Sequence, residues 1–567
     1  MSNGRGSMLG ALRRTGLLNP MAVASLTSAT AFFGPSLAAG YGATTFRYPN
    51  RIAIVDDYGS LTYRQLDRRA ALAAAGLKQH GLERGATIGV LCRNHRGFVE
   101  AVLAAAKLGV RPVLCNTGLP PGQLAEVIER EGIVAVIADR DLVGRLPEGI
   151  TAFAADPETD EDNTFPDLTA RRPLLTTPGP LDTPTPVILT SGTTGAPKGT
   201  RRSTDPRAAV GALGVLEAIP YNQGDVMVVP APLFHAWGFS HLPLAATLAG
   251  TVVLRHRFDP VGVLADLESH GAEVLVAVPV MLHRILDWAA TSDDADDPHR
   301  DLDNLRVVAT SGAALPGDLA IRWMDRFGDN LHNLYGSTEG GQVSVATPDD
   351  LRSAPGTAGR PLRGVDLRIL DADDQEVGTD EVGEIMVGGA GRFDGYTDGG
   401  GKRMVGDLQS TGDRGRIDRD GRLFVLGRDD DMIISGGENL FPSNIEAALL
   451  THPAVMATAV VGIDDRDLGQ KVRAVVVTTG DDRVTDGPGA SQMTRKLKAH
   501  LKTLLAPHEL PREFVYTTGL PRNQAGKILR SRLTGSRRSV PFGYDQPADD
   551  SAAENYHHHP SDQKAHA

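Results

Sequence analysis

The strongest constraint on the fold is a regular alternation of apolar runs and helix-like segments between residues 51 and 138. The apolar runs are short and rich in residues typical of strands buried on both faces of a sheet. They are Arg51–Val55, Ala86–Cys92, Arg111–Cys115 and Val134–Ala138. The segments between them predict helices at 62–80, 98–108 and 123–130. Because strands that alternate with helices pair in parallel, we expect an α/β fold with a helix-covered sheet.

A loop rich in hydroxyl groups follows another apolar run, Val187–Leu189. The loop combines four hydroxyls with two glycines, in the order Thr190, Ser191, Gly192, Thr193, Thr194 and Gly195. Such a loop has little side-chain bulk and many donors for a polyphosphate, and Lys198 adds a positive charge. Pro197 precedes this lysine and Gly199 follows it, so the stretch is not a Walker A loop.

An aromatic segment follows the apolar run Val226–Val229, where two prolines end the predicted strand. It presents His235 and Trp237. These side chains either pack as an aromatic cluster in the core or face a ligand, because ligands of α/β sheets bind at strand ends.

Two further motifs have residue types suited to a nucleotide. Gly312, Ala313 and Ala314 come after the apolar run Leu305–Ala309 and leave room for a flat ring against the backbone. The second motif is Tyr335, Gly336, Ser337, Thr338 and Glu339. Tyr335 is suited to stack on adenine, Thr338 to bond a phosphate, and Glu339 to hold Mg²⁺, which favours carboxylate oxygen. The alternative for Glu339 is a solvated loop carboxylate.

The last third of the chain adds isolated polar candidates. Asp413 offers two acceptor oxygens for ribose hydroxyls, and Arg428 offers a fork of donors for ribose or phosphate oxygens. Lys527 lies on a glycine-flanked loop, where a lone lysine is ordinarily just solvated.

Composition excludes some classes of protein. The 567 residues exceed the usual size of one domain, and the net charge of −12 argues against a nucleic-acid binder. Cys92 and Cys115 each lie in an apolar run, which predicts buried free thiols in a reducing compartment, with a single disulfide as the alternative. The expected localisation is cytoplasmic. The stretch Met21–Tyr41 is diluted by hydroxyls and lacks a span of about 18 apolar residues. It predicts a helix at Pro20–Phe33 lying on the protein or on a membrane surface, with a signal peptide as the alternative.

These motifs together resemble the adenylate-forming superfamily, which includes acyl-CoA synthetases, peptide-synthetase adenylation domains and beetle luciferases. The likeness rests on the Thr190–Gly199 string, on Tyr335–Glu339, on Thr411–Asp413, on Gly427–Asp431 and on Pro521–Lys527. The resemblance runs in family order from about residue 50 to about residue 535.

The resemblance implies roles for these residues. It makes Lys527 the catalytic lysine, with Glu339, Thr194 and Lys198 also acting on the phosphates, and Asp430 the hinge between two domains. It places His235 and Trp237 beside the acid and the pantetheine entry, and Ser435, Gly436 and Gly437 along the pantetheine tunnel. The implied cofactors are ATP, Mg²⁺ and coenzyme A.

The implied organisation is an N-terminal extension at 1–45, a large acyl-activating domain at 46–429 containing a β-rich subdomain, a small mobile α+β domain at 430–535 and a disordered tail at 536–567. The predicted reaction converts a carboxylate to an acyl-adenylate and then to a CoA thioester.

The absence of charged residues near Ala231–Phe239 favours an apolar acid, and we expect a medium- to long-chain fatty acid. The alternatives are an aryl or other acid, a ligase that loads a carrier protein, and a silent nucleotide-binding regulator. No nucleic acid is expected; a peripheral membrane contact and a homodimer remain open.

Overall fold

The structure is a computed structural model, and most of the chain is described in it. The described residues are 7–155, 165, 168, 172–173, 184–190, 197–202, 207–291, 302–389, 393–428, 431–435, 438–466, 468–479, 487–523 and 527–535. They divide into two compact units. The first comprises Met1–Asp431 with Asn523–Lys527, and the second comprises Met432–Arg522 with Ile528–Ala567. The predicted hinge at Asp430 and the predicted disordered tail lie outside the described residues.

The first unit contains the helices α1 (Met8–Arg14), α2 (Pro20–Phe33), α3 (Leu37–Arg47), α4 (Tyr63–Gln79), α5 (Arg96–Leu108), α6 (Pro121–Glu131), α7 (Arg207–Ala218), α8 (Ala236–Leu248), α9 (Pro260–Ser269), α10 (Pro279–Thr291), α11 (Gly317–Phe327) and α12 (Pro348–Ser353). A 3₁₀ helix spans Arg140–Arg145.

Its strands are β1 (Ile52–Asp56), β2 (Gly59–Thr62), β3 (Thr87–Leu91), β4 (Arg111–Leu114), β5 (Ile133–Asp139), β6 (Thr151–Ala155), β7 (Val187–Thr190), β8 (Lys198–Arg202), β9 (Val226–Val228), β10 (Thr251–Val253), β11 (Val274–Ala277), β12 (Val307–Thr310), β13 (Leu331–Ser337), β14 (Gly341–Ala346), β15 (Arg360–Pro361), β16 (Val365–Leu370), β17 (Gly383–Gly389), β18 (Phe393–Tyr396), β19 (Met404–Val405), β20 (Leu408–Ile417) and β21 (Leu423–Arg428).

Within the described residues, these strands form three sheets. A seven-stranded sheet has the order β18-β8-β7-β4-β3-β5-β6, and a nine-stranded sheet has the order β15-β14-β13-β12-β11-β9-β10-β1-β2. The strands predicted at the start of the chain pair in parallel, as β4 with β3 and β3 with β5. A smaller antiparallel sheet contains β16, β17, β20, β19 and β21. The α/β class with a β-rich subdomain is confirmed.

Local signals place several helix ends. Thr62 accepts from the Gln65 amide while the Gln65 side chain accepts from the Thr62 amide, so a capping box starts α4. Gly109 ends α5 with a φ of 75°, a conformation that glycine adopts without strain. The predicted helix at Pro20–Phe33 is confirmed as α2. None of the described helices combines the length and apolar character needed to cross a bilayer.

Large apolar side chains fill the first unit on both sides of its sheets. Leu66 and Leu77 of α4 and Leu103 of α5 are fully buried in the same core as Ile88 of β3. Both cysteines, Cys92 and Cys115, are buried free thiols, as predicted.

The second unit is an α+β domain. It contains β22 (Ile433–Ser435), β23 (Glu438–Leu440), α13 (Pro442–Leu450), β24 (Val455–Asp465), β25 (Gly469–Thr478), α14 (Gly487–Leu501), β26 (Glu513–Tyr516) and a 3₁₀ helix at Arg530–Leu533. The described strands form one sheet in the order β23-β22-β25-β24, with β26 parallel to β25. Ile445, Leu449, Val476 and Leu497 are buried in its core.

Candidate active site

The hydroxyl-rich loop joins two antiparallel strands of the seven-stranded sheet. The register pairs Ile188 with Thr200, Leu189 with Gly199 and the backbone of Thr190 with that of Lys198. The hairpin therefore returns Lys198 beside the start of the loop. The loop residues predicted to hold phosphate, Ser191, Gly192, Thr193, Thr194 and Gly195, lie outside the described residues.

Lys198 is engaged by a segment that lies far away in sequence. Its ammonium Nζ lies 2.9 Å from Asp398 Oδ2 and 5.5 Å from the centroid of the Tyr396 ring. The lysine side chain is 49% exposed, so the ion pair is solvent-screened and contributes little to stability. An incoming phosphate can therefore replace the carboxylate at small cost.

Three predicted segments lie at the carboxyl ends of strands that run in the same direction. β9, β11, β12 and β13 pair in parallel, so their carboxyl ends lie along one edge of the nine-stranded sheet. Pro230–His235 follows β9 and the exposed residues Gly312, Ala313 and Ala314 follow β12. Tyr335 and Gly336 lie near the carboxyl end of β13. Ligands of α/β sheets bind at this edge.

Tyr335 and Asp413 contact each other directly. The Tyr335 hydroxyl donates to Asp413 Oδ2 at 2.6 Å, and Arg428 Nε lies 4.0 Å from Asp413 Oδ1. Arg428 faces Asp413 because β20 and β21 pair these two residues in register. The buried Arg428 Nε has no hydrogen-bond partner among the described residues. The structure thus brings together three residues predicted separately for the nucleotide.

The carboxyl group of Asp413 has an unusual environment. Burial raises its pKa, and the hydrogen bond from Tyr335 together with the charges of Arg428, Lys402 and Lys527 offsets only part of that effect. The carboxylate is therefore less stable than an exposed one and gains from further donors. Two ribose hydroxyls are donors of the required kind.

Glu339 lies in the turn between β13 and β14, next to Thr338. Its Oε1 accepts a hydrogen bond of 3.0 Å from the Tyr396 hydroxyl. Among the described residues, Oε1 is the Glu339 oxygen that accepts a hydrogen bond, which leaves Oε2 for a cation. A carboxylate oxygen fixed by an outer partner fits Mg²⁺, which binds proteins through one or two carboxylates and substrate phosphates.

His235 is the residue that precedes α8, and its side chain packs against Phe234 with the ring centroids 4.6 Å apart. Burial lowers the pKa of His235 to about 4, so the ring is neutral at physiological pH. Its Nε2 atom is buried and has no hydrogen-bond partner among the described residues. Trp237 instead donates from Nε1 to the Ala277 carbonyl at 3.0 Å, which fixes the indole at the end of β11.

A second cluster of polar side chains lies at the ends of β3 and β5. Within the described part of the chain, Cys92, His95 and Asp139 form the group whose donor atoms are close enough for a metal. However, His95 Nε2 bonds Asp139 Oδ1 at 2.7 Å, and Arg93 donates to Oδ2 at 2.9 Å. Burial raises the pKa of Asp139, but contacts with His256, His95 and Arg93 outweigh it and hold that pKa well below its usual range. The cluster is a satisfied ionic network.

The residues predicted for the second half-reaction are described only in part. Ser435 is buried at the end of β22 and pairs with Gly469 of β25. Gly436 and Gly437 lie outside the described residues, as does Asp430. Lys527 belongs to the short segment Asn523–Lys527 that groups with the first unit. Its amide donates to Asn523 Oδ1 at 2.9 Å within this segment.

Sequence analysis missed Tyr396 and Asp398. Tyr396 follows Gly395 and Asp398 precedes Gly399, in the stretch Gly395 to Gly401 that has no apolar periodicity. Their contacts with Glu339 and Lys198 join residues that are 57 and 200 positions apart. A local pattern carries no signal for such contacts.

Two family models cover most of the chain. Residues 21–397 match the AMP-binding enzyme model, and residues 444–527 match the model of the AMP-binding enzyme C-terminal domain. A 2-succinylbenzoate–CoA ligase from Bacillus licheniformis is 32% identical over 489 residues, covering 86% of this chain and 97% of that protein. A feruloyl-CoA synthase from an Amycolatopsis species is 31% identical over 497 residues, covering 86% and 96%.

Solved structures show the same architecture. The o-succinylbenzoate CoA synthetase from Bacillus subtilis, in complex with its acyl-adenylate intermediate, has a TM-score of 0.75 and 27% identity, covering 88% of this chain and 98% of that one. The same enzyme in complex with ATP and a magnesium ion has a TM-score of 0.74. The predicted superfamily is confirmed, whereas the predicted fatty-acyl type is not supported, because these relatives are named for other acids. The chain belongs to the AMP-binding enzyme family.

Proposed function

We propose that this protein is an acid–CoA ligase that activates an aromatic carboxylic acid as its acyl-adenylate and transfers the acyl group to coenzyme A. The observation that carries the proposal is the match, over 86% of the chain, to enzymes named for 2-succinylbenzoate and for ferulate. It replaces our expectation of a fatty acid with the aryl alternative.

In the first half-reaction, an oxygen of the substrate carboxylate attacks the α-phosphorus of ATP, and pyrophosphate leaves with the electron pair of the broken P–O bond. Negative charge develops around the phosphorus, where preorganised donors are most effective. Lys198, Lys527 and the hydroxyl-rich loop supply these donors. Glu339 would hold Mg²⁺, which would supply positive charge for the phosphates of ATP.

The nucleoside is held by the cluster of Tyr335, Asp413 and Arg428. Asp413 accepts from the ribose hydroxyls and keeps the Tyr335 ring in place through their 2.6 Å hydrogen bond. Adenine lies beside this ring and against the small residues Gly312, Ala313 and Ala314.

In the second half-reaction, the thiolate of coenzyme A attacks the acyl carbon and AMP leaves with the electron pair of the broken C–O bond. The family resemblance assigns the pantetheine path to Ser435 and the two glycines after it. The same resemblance assigns the change between half-reactions to a hinge at Asp430.

The acid is proposed to lie against Phe234 and His235. Flat rings stack on or pack edge-to-face against each other, with a gain of about 0.5–1.5 kcal/mol beyond the area that they bury. The neutral His235 adds no charge, and its unpaired Nε2 has a polar partner when the substrate carboxylate or a ring substituent approaches it.

The purified protein with ATP, Mg²⁺ and coenzyme A, given single acids, tests the proposal. The panel pairs 2-succinylbenzoate, ferulate, cinnamate and benzoate with octanoate and palmitate, and product mass spectrometry identifies each acyl-CoA. We expect kcat/KM for at least one aromatic acid to exceed that for both aliphatic acids by roughly tenfold or more, a difference of the size that an apolar pocket gives. Preference for octanoate or palmitate contradicts the proposed substrate class. Absence of AMP and pyrophosphate with every acid contradicts the proposed chemistry.

A further inference from the structure

We propose that Tyr396 is a positioning residue that presents the Glu339 carboxylate to magnesium. The proposal rests on the role that the proposed function gives to Glu339. Tyr396 acts through Glu339, which its hydroxyl contacts.

The contact is specific to one oxygen of the carboxylate. The Tyr396 hydroxyl donates to Glu339 Oε1 at 3.0 Å. Glu339 is in a turn, and its side chain has three rotatable bonds that position the carboxylate. A donor on one oxygen fixes the direction of the other, which is the geometry that a metal ligand requires.

The phenol is held from the strand that carries Lys198. The backbone register pairs Tyr396 of β18 with Thr200 of β8, and the Thr397 amide donates to the Gly199 carbonyl at 2.9 Å. The Thr397 hydroxyl also donates to Glu131 Oε1 at 2.9 Å. Tyr396 is therefore anchored to the seven-stranded sheet.

Glu339 follows β13, which belongs to the nine-stranded sheet. The hydrogen bond between Tyr396 and Glu339 thus connects two sheets whose ends carry different parts of the site. Lys198 is held by the same segment, over the Tyr396 ring and beside Asp398. The short stretch from Tyr396 to Asp398 therefore contacts both Lys198, the cation assigned to the phosphates, and Glu339, the carboxylate assigned to magnesium.

The hydrogen bond joins a neutral donor to a carboxylate acceptor, since the Tyr396 hydroxyl donates to Glu339 Oε1. A hydrogen bond to a charged group is stronger than one between neutral groups. Loss of an outer partner of a metal ligand typically lowers metal affinity 10- to 100-fold.

The test is Tyr396→Phe, which removes the hydroxyl and keeps the ring under Lys198. ATP–pyrophosphate exchange is measured at fixed ATP while free Mg²⁺ is varied, with an aromatic acid accepted by the wild type. We expect the Mg²⁺ concentration for half-maximal exchange to rise about tenfold, the lower end of the range for an outer partner. The KM for the acid stays within about twofold, because a residue that supports a metal ligand does not contribute to binding of the acid.

Tyr516→Phe is the matched control, because its hydroxyl also bonds a side chain, Thr494 Oγ1 at 2.8 Å in the second unit. It should leave the Mg²⁺ dependence unchanged. A second control supplies pre-made acyl-adenylate and coenzyme A to Tyr396→Phe, and thioester formation should proceed at the wild-type rate.

Glu339→Gln separates the two proposals. An unchanged Mg²⁺ dependence in this variant overturns the role of Glu339 and with it the inference about Tyr396. A raised Mg²⁺ requirement in Glu339→Gln together with an unchanged one in Tyr396→Phe overturns the inference alone. A large drop in the melting temperature of Tyr396→Phe would make Tyr396 a structural residue and would also overturn it.

Discussion

Asp413 lies in a site where burial disfavours charge, whereas the ribose contact proposed for it needs a charged carboxylate. Tyr335 gives it one strong hydrogen bond, and Arg428 approaches its other oxygen. In the proposed function, the nucleotide satisfies the remaining acceptor capacity. We therefore expect ATP binding to depend on both the charge and the protonation of this one side chain.

We therefore predict that Asp413→Asn raises the KM for ATP by roughly 10- to 100-fold, the effect of losing a hydrogen bond to a charged group. Steady-state kinetics with varied ATP measures it. Asp366→Asn is the matched control, because Asp366 is an exposed carboxylate of the same small sheet. Equal KM values in Asp413→Asn and wild type would refute the ribose assignment.

The pH dependence of the same KM follows from the raised pKa of Asp413. Protonation removes the charge and an acceptor, so ATP binding weakens as the pH falls through this pKa. Because that pKa is raised, the weakening begins at a higher pH than for an ordinary aspartate, whose pKa is about 3.9. Asp413→Asn lacks this titration, and its KM for ATP should be flatter over the same acidic range.

Candidate residues were recognisable where a short motif contains them. Tyr335, Glu339 and Asp413 lie in compact strings whose residue types fit adenine, magnesium and ribose, and these roles stay predictions. The bond between Tyr335 and Asp413 was not predictable, because 78 residues separate them and only the pairing of sheets brings them together. The same reason hid Tyr396.

At the scale of elements, the hairpin of β7 and β8 depends on close packing at Gly199. A Cβ atom there would lie 2.7 Å from Thr397 Oγ1, 2.7 Å from Val187 Cγ1 and 2.9 Å from Glu131 Oε1. Three side chains from three separate segments therefore favour glycine at this position.

We expect Gly199→Ala to lower the free energy of unfolding by about 1–3 kcal/mol, the usual effect of overpacking. It should also reduce ATP–pyrophosphate exchange, since the displaced strand carries Lys198. Gly144→Ala is the control, because a Cβ at Gly144 meets nothing within 4 Å. Chemical denaturation and exchange assays compare the two variants, and wild-type stability in Gly199→Ala would show that the contacts yield without cost.

Element boundaries were predicted best where one residue determines them. Thr62 and Gly109 act through their own hydroxyl and their own φ angle, so α4 and α5 end within two residues of expectation. The amphipathic pattern of residues 493–505 predicts a helix there, whereas α14 spans Gly487–Leu501. The residues before Met493 include two glycines and a proline, which are weak helix formers and give no sequence signal for an earlier start. The hairpin of β13 and β14 was missed, since its motif contains glycine and hydroxyl residues that are also typical of loops.

At the scale of the whole molecule, the chain has two units and a proposed reaction with two half-reactions. Lys527 is assigned to the first half-reaction alone. We predict that Lys527→Ala lowers ATP-dependent acyl-CoA formation by about 10²–10³-fold, as when one transition-state donor is removed. Given pre-made acyl-adenylate and coenzyme A, it should form the thioester at a near-normal rate.

Lys502→Ala, a lysine that follows α14 in the second unit, is the control and should match the wild type in both assays. A Lys527→Ala variant that is equally slow with supplied adenylate would show that the lysine also serves thioester formation.

The burial of both cysteines has a practical and a chemical consequence. An acyl-adenylate is a strong acylating agent, and a protein thiolate within reach would compete with coenzyme A for it. Burial raises the pKa of Cys92 far above its usual value and that of Cys115 to about 12. The enzyme is therefore protected from acylating itself on sulfur. For the same reason, free coenzyme A that remains in stopped samples can be measured with an aromatic disulfide reagent without denaturing the protein, since the coenzyme's thiol is the one that reacts.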